Sequence, residues 1–457
     1  MLLSEAARIG GGELQGSDAP FAGMAIDSRV LEAGQLFVAL KGEHSDGHAH
    51  LADAAVRGAA GAVVERFVKE ALPQIQVSSS QDALQQIAHR WRQRFDIPVI
   101  AVTGSNGKTT VKEMLGAILR QATSDAEVLV TRGNLNNHLG VPLTLSRLEQ
   151  GHRYAVIEMG ASAQTEIARL AELAAPTVGL VTNAGVAHLE GFGSRDGIAR
   201  GKGELFAGLP QSGTAIINND DDYEELWGEL AGDRQVLRFG LESGADVTAR
   251  ALEFDGDRTR FRLITPRGEA AVELALVGRH NVANALAAAA AACAVGLGAG
   301  EIALGLSHAV AVDGRLKITR AINDARLVDD SYNANPGSLQ AALDSVRPAS
   351  GEYWLALGDM AELGDDAESA HRQAGEAARA AGVQRLFTLG RLSRLAAEGF
   401  GEGAAHYDDH QGLIDALSRT IAPGVTLLVK GSRSARMDRV AKALLAADER
   451  SVGAGVN

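Results

Sequence analysis

The stretch Val99-Ile100-Ala101-Val102-Thr103-Gly104-Ser105-Asn106-Gly107-Lys108-Thr109-Thr110 decides the reading of this chain. A β-branched apolar run enters a glycine-punctuated turn that closes on Gly-Lys-Thr-Thr, and a helix-compatible segment, 111–120, follows. Strand, loop and helix in that order are the context in which such a motif marks a nucleotide site. Glycines let successive backbone N–H groups turn toward phosphate oxygens, and the helix N-terminus adds partial positive charge. Lys108 can reach the terminal phosphates, and the Thr109 hydroxyl is placed to ligate Mg²⁺. Val102 stands where the usual G-x-x-x-x-G-K-[ST] loop has its first glycine, so this is a shorter variant, Gly104-x-x-Gly107-Lys108-Thr109. The plain alternative is a strand-turn-helix connection with an incidental lysine.

Around this motif, 457 residues suggest about three domains of ~150 residues each. A hydrophobic share of 46% supplies several cores, and 4% aromatic residues with abundant Ala and Gly suit close-packed helices on an α/β fold. The net charge of −13 argues against a nucleic-acid partner. The lone Cys293 cannot form an intramolecular disulfide, which fits a cytoplasmic location. No basic segment with a long apolar core opens the chain, so no secretory signal is expected. No run reaches the ~18 apolar residues of a membrane helix.

The expected fold class is α/β in three domains. Residues 1–82 form a small mixed α/β unit, with strands at 34–40 and 62–64 and a helix at 51–58; a helix at 80–95 leads out of it. Residues 83–312 form a central ATPase-type domain with a mostly parallel sheet. Its strands are expected at 99–102, 128–131, 155–158, 178–182 and 215–217. Short alternating runs in 236–277 suggest antiparallel strands, and a helix follows over 280–295. Residues 313–457 form a Rossmann-like domain with strands at 325–328, 353–357, 385–389 and 426–429. Gly296-Leu297-Gly298-Ala299-Gly300 trails a helix instead of following a strand, so it is a helix stop and not a dinucleotide fingerprint.

Several polar residues lie where strand ends of a parallel sheet converge on a ligand crevice. Glu158 closes Tyr154-Ala155-Val156-Ile157, the place where nucleotide enzymes put a Mg²⁺ contact. His188 follows the strand before Thr182 and can meet Glu158 in space. Lys202 lies in Ala199-Arg200-Gly201-Lys202-Gly203-Glu204 and alone would be a solvated lysine. Asn281 and Asn284, three apart at the opening of an Ala-rich helix, share one face, although Asn281 can equally be a simple N-cap.

With these residues in order, the chain resembles the Mur ligases, the ATP-dependent amide-forming family of peptidoglycan synthesis, over essentially its whole length. Thr103 to Thr110, Glu158, His188, Lys202, His280-Asn281-x-x-Asn284, Asp313-Gly314-Arg315 and Asp330 carry the general resemblance. A subtype is carried by Gly133-Asn134-Leu135-Asn136-Asn137, Asp329 to Pro336, Gly358-Asp359-Met360-x-Glu362-Leu363-Gly364 and Lys430-Gly431-Ser432-Arg433. That subtype joins D-alanyl-D-alanine to a UDP-N-acetylmuramoyl-tripeptide through an acyl phosphate. The alternatives are a relative adding a diamino acid, folylpolyglutamate synthesis, or a nucleotide-switch ATPase.

The resemblance implies roles residue by residue. Ser28, Arg29, Leu36, Phe37 and Lys41 would approach the UDP group, and Asn134, Asn136 and Asn137 the muramoyl-peptide. Thr103, Gly104, Ser105, Asn106, Gly107, Lys108, Thr109, Thr110, Asn281, Asn284, Arg315 and Asp330 would hold ATP. Tyr332, Asn333 and Asn335 would contact substrate, and Asp359 and Arg433 would frame the dipeptide pocket, with Glu362 a second acidic candidate for its ammonium end. Lys108, Glu158, His188 and Lys202 would be catalytic. Thr109 and Glu158 would serve one Mg²⁺, and His188 with a carbamylated Lys202 a second. A monomer without nucleic-acid or membrane partners is expected.

Overall fold

The computed structural model describes residues 1–43, 45–186 and 189–447. Within these the chain builds four sheets. The first block carries β1 (Glu13–Gln15), β2 (Met24–Ala25), β3 (Leu36–Val38), β4 (Gly61–Val64) and β5 (Gln74–Gln76), ordered β1-β5-β4-β3-β2. Only the β1–β5 pair is antiparallel. The helix Ser80–Arg92 leads out of this block, capped by the Ser79 side chain on the Asp82 N–H.

The central sheet is wholly parallel. Its strands are β6 (Val99–Thr103), β7 (Val128–Val130), β8 (Tyr154–Glu158), β9 (Val178–Val181), β10 (Thr214–Asn218) and β11 (Gln235–Phe239), ordered β11-β10-β9-β6-β8-β7. β6, buried along its whole length, reads as a continuous apolar run because helices cover both faces of such a sheet. It lies between β8 and β9, so the loop after β6 is flanked by the ends of both neighbours. This is the topological switch point at which open parallel sheets bind ligands.

The 236–277 expectation needs one correction. Gln235–Phe239 adds in parallel beside β10; only β12 (Thr248–Asp255), β13 (Arg258–Thr265) and β14 (Gly268–Leu274) are antiparallel. β11 is a partly exposed edge strand, so it lacks the unbroken apolar run of the inner parallel strands.

The third block has β15 (Lys317–Arg320), β16 (Arg326–Asp330), β17 (Glu352–Gly358), β18 (Arg385–Leu389), β19 (Ala404–Tyr407) and β20 (Val425–Lys430), ordered β15-β16-β20-β17-β18-β19. All pairs but β15–β16 are parallel. One apolar core runs continuously from Leu3 and Leu36 in the first block to Ile157 and Trp227 in the second. The third block fills both faces of its own sheet. No helix among the described residues is long and apolar enough to cross a membrane.

Candidate active site

The phosphate loop is held from two sides. Gly104 has φ +139°, and a Cβ there would lie 1.9 Å from Thr182 Oγ1, so only glycine fits. Past the end of β9, Asn183 Oδ1 accepts from the Asn106 N–H at 3.1 Å while its Nδ2 donates to the Asn106 carbonyl at 3.0 Å. The Thr182 hydroxyl donates to that same carbonyl at 2.6 Å, and Ser105 Oγ donates to Gly185 O at 2.7 Å. On the other side Asn284 abuts Gly107, where a Cβ would sit 2.3 Å from Asn284 Oδ1. Asn281 turns inward, its Nδ2 on Val277 O at 2.8 Å and its Oδ1 accepting from Asn284 Nδ2 at 3.1 Å.

Lys108 curls over its own loop, donating to Gly104 O at 2.6 Å and Ser105 O at 3.1 Å. Burial lowers its ammonium to about 8, with the Glu158 charge opposing and that of Arg315 reinforcing the shift. Glu158 ends β8, buried, and accepts from Asn136 Nδ2 at 2.8 Å through Oε1. Its Oε2 is buried with no hydrogen-bond partner among the described residues. Lys112 Nζ stands 4.0 Å from that oxygen and is spent on Glu113 at 2.7 Å and Thr131 O at 2.9 Å. A carboxylate oxygen left over beside a phosphate loop fits a divalent cation. No cluster of three His, Cys, Asp or Glu forms a metal centre among the described residues. Mg²⁺ needs none, being held by one or two protein groups plus phosphates and water. His188 lies outside the described residues.

Lys202, on the helix Arg195–Ala207, is 1% exposed. Its Nζ donates to Ala161 O at 2.9 Å and sits 4.9 Å from the Phe192 ring centroid. Burial, then the charge of Lys108, push its ammonium down to about 7, against weaker support from Glu166 and Glu204. Ala161 lies between Lys202 and the cleft, which it lines together with Glu158 and Gly160.

The third block supplies the opposite wall. Arg315 Nη2 donates to the Thr109 hydroxyl at 2.9 Å, and its guanidinium stacks 4.3 Å from the Tyr332 ring centroid. Arg433 approaches the same ring at 5.3 Å. Asn335, N-cap of the helix Pro336–Val346, donates through Nδ2 to Asn106 Oδ1 at 2.9 Å. Asp330 and Lys430, paired in register at the ends of β16 and β20, form an ion pair of 2.5 Å; Lys430 also donates to Asn333 O at 3.0 Å. Half-buried His280 is pushed down to about 4 by desolvation, with Lys430 contributing, and meets Ser345 Oγ at 3.0 Å.

One cleft of about 1780 Å³ runs from Asn134, Asn136 and Asn137 past Lys108 and Glu158 to Arg315, Asp330, Tyr332 and Arg433; Thr109 and Lys202 do not line it. Asp359 does not line it. Its Oδ1 accepts from the Leu392 and Ser393 N–H groups at 3.1 and 2.7 Å, capping the helix Ser393–Phe400. Glu362 does line the cleft. In the first block, Leu36 and Phe37 are core side chains. Ser28, Arg29 and Lys41 follow the C-terminal ends of β2 and β3. The Arg29 fork on Asp27, at 2.9 and 2.7 Å, holds that carboxyl down to about 2. None of these five lines the main cleft. The Asn183 clamp and the buried Lys112 escaped sequence reasoning; the run Thr182-Asn183-Ala184-Gly185 just past a strand was the available signal for the first.

A parallel sheet with its phosphate loop at the switch point, faced by a second sheet edge rich in cations, defines a nucleotide-using transferase or ligase class. Models of the Mur ligase middle domain (residues 102–292), the Mur ligase glutamate ligase domain (314–433) and the Mur ligase family catalytic domain (20–92) all match. The chain is 46% identical to the UDP-N-acetylmuramoyl-tripeptide–D-alanyl-D-alanine ligase of Escherichia coli K12, over 97% of this chain and 98% of that one. It is 35% identical to the ligase of the same name from Bacillus subtilis, over 93% of each. The crystal structure of MurF from Acinetobacter baumannii superposes with a TM-score of 0.86 at 35% identity, covering 96% and 97% of the two chains. That of MurF ligase from Thermotoga maritima in complex with ADP gives 0.78 at 28%, covering 92% and 96%. The chain belongs to the Mur ligase family. It is an enzyme, an ATP-dependent amide-forming ligase.

Proposed function

We propose that this chain joins D-alanyl-D-alanine to UDP-N-acetylmuramoyl-tripeptide at the cost of ATP, a cytoplasmic step of cell-wall precursor synthesis, and acts as a monomer. The observation that carries this is the single cleft in which the phosphate loop and the third block's Arg315, Tyr332 and Arg433 face one another. The names of the relatives support the choice of substrates.

A carboxylate oxygen of the tripeptide attacks the γ-phosphorus of ATP, ADP leaves, and an acyl phosphate results. The dipeptide amine then adds to the acyl carbon, and phosphate departs with the former carboxylate oxygen. Lys108 neutralises charge on the transferring phosphoryl group, and Arg315, already at Thr109, adds a second cation there. Thr103 to Thr110, Asn281, Asn284 and Asp330 complete the ATP site. Thr109 and Glu158 would hold Mg²⁺, which would supply charge neutralisation for the phosphates. Lys202 has the character of a carbamylation site. An amine lowered to about 7 is about half neutral near pH 7, and its nitrogen adds to CO₂ with loss of one proton, exchanging an uncompensated cation for an anion.

Residues 83–312 are thus assigned to ATP. Residues 1–82 are assigned to the UDP group, through Ser28, Arg29 and Lys41 beyond the C-terminal ends of parallel strands, where ligands bind; Leu36 and Phe37 offer only backbone. Residues 313–457 are assigned to the dipeptide: the Arg433 fork suits its carboxylate, Tyr332, Asn333 and Asn335 frame the pocket, and Glu362 is a better partner than Asp359 for its ammonium. Phosphate release measured with either substrate alone and with both tests the reading. Release only with both is expected; equal ATP hydrolysis without the amine would refute it.

A further inference from the structure

One arm of the cleft is used by none of the motifs. It runs away from Glu158 between the helix Ser80–Arg92, presenting Asp82, Gln85 and Gln86, and the helix Glu166–Ala174, presenting Arg169, Glu172 and Leu173. The second helix starts at the reaction centre, because Glu166 Oε2 accepts from the Ser162 N–H at 2.7 Å, and Ser162 lines the cleft beside Glu158. Arg169 and Glu172 lie one and two turns further on, roughly 4.5 Å and 9 Å along the axis. Both are exposed, and neither has an ion-pair partner among the described residues. The two helices are joined below them, His89 Nδ1 meeting Leu173 O at 3.1 Å, so the arm has a fixed floor.

Resting on the ligase reading above, we infer that this arm receives the side chain of the tripeptide's third residue, and that Arg169 and Glu172 read its far end. The reacting carboxylate of that residue must sit at Lys108, so its side chain has to leave the reaction centre along a wall of the cleft. Leu173 covers the methylenes. A guanidinium and a carboxylate three residues apart on one helix face are complementary to a zwitterionic amino-acid terminus. That is the end group of a 2,6-diamino dicarboxylic acid; lysine presents only the ammonium.

The test compares UDP-peptides ending in meso-diaminopimelate and in lysine, each with ATP and D-alanyl-D-alanine, on the full chain and on Arg169→Met and Glu172→Gln. Arg169→Met is expected to lower kcat/KM for the diaminopimelate peptide at least about tenfold more than for the lysine peptide. Glu172→Gln should lower both to a similar extent, since both carry the ammonium. Calorimetric binding of the two UDP-peptides should show the same split. An Arg169→Met variant that affects both peptides equally, or neither, would overturn the inference while leaving the ligase reading intact. Turnover of neither peptide by the unmodified chain would overturn that reading and this inference with it.

Discussion

Two buried lysines sit at the two sheet edges that face each other across the cleft, and their surroundings differ. Lys430, at the end of β20, is 2% exposed and has a carboxylate at 2.5 Å and a carbonyl at 3.0 Å. Lys202, behind the central edge, is equally buried but has one carbonyl and an aromatic face, with no carboxylate in ion-pairing distance among the described residues. A buried charge is tolerated when paired and costly when not. The third edge therefore spends its lysine on stitching β16 to β20, whereas the central edge keeps an amine that gains by losing its proton or acquiring a negative group. On the proposed reading, one edge recognises and the other reacts.

The largest effect is expected at the reacting edge. Lys108→Ala should lower turnover about 10³-fold or more, as loss of a preorganised charge-stabilising donor does, while calorimetry still finds UDP-peptide binding, since that is assigned to the first block. Retention of a tenth of the activity would break the contrast. Next in size, Lys430→Met leaves the half-buried Asp330 without its cation, held only by the Leu316 N–H, and should cost up to about 3 kcal/mol of stability in denaturant unfolding. Lys202→Met should cost no stability, because it removes an uncompensated cation, yet should lose most activity. Equal destabilisation by both would erase the difference drawn between them.

The contrast also has a pH signature. The Lys202 amine, lowered to about 7, is roughly 10% neutral at pH 6 and 90% at pH 8. Only the neutral amine adds to CO₂, so raising the pH favours the carbamate. Enzyme stripped of CO₂ should regain activity faster at pH 8 than at pH 6 when dissolved CO₂ is held constant; a pH-independent recovery would contradict this. The smallest effect belongs to the recognising edge: Arg433→Ala should raise the apparent KM for D-alanyl-D-alanine about tenfold, near 1.4 kcal/mol, and that for ATP much less. Equal changes for all substrates would move the dipeptide elsewhere.

The reacting edge was more legible in the sequence than the recognising one. Its parallel strands are buried on both faces and read as unbroken apolar runs, and its loop is a contiguous motif whose glycines are required by the close approach of Thr182 and Asn284. Short or half-exposed strands, such as β1, β2, β5, β15 and β19, carry too few residues or too little burial to leave a pattern. Asp359 looked like a ligand because an acidic residue after a strand looks the same whether it meets substrate or caps a neighbouring helix. The Asn183 clamp depends on β9 lying beside β6, a fact of strand order that no local window contains. Arg169 and Glu172 belong to no motif at all; their spacing puts them on one helix face, but only the packing of that helix against one some seventy residues earlier makes the face a wall of the cleft.

On the proposed reading the tripeptide carboxylate is phosphorylated at the phosphate loop, and the amine then displaces that phosphate. Labelling the reacting carboxylate of the UDP-tripeptide with ¹⁸O and analysing the released phosphate by mass spectrometry tests this directly. One ¹⁸O in the phosphate for each amide formed from fully labelled carboxylate is expected, because the departing phosphate keeps the oxygen that attacked ATP. Phosphate free of ¹⁸O, with oxygen drawn from water instead, would contradict it.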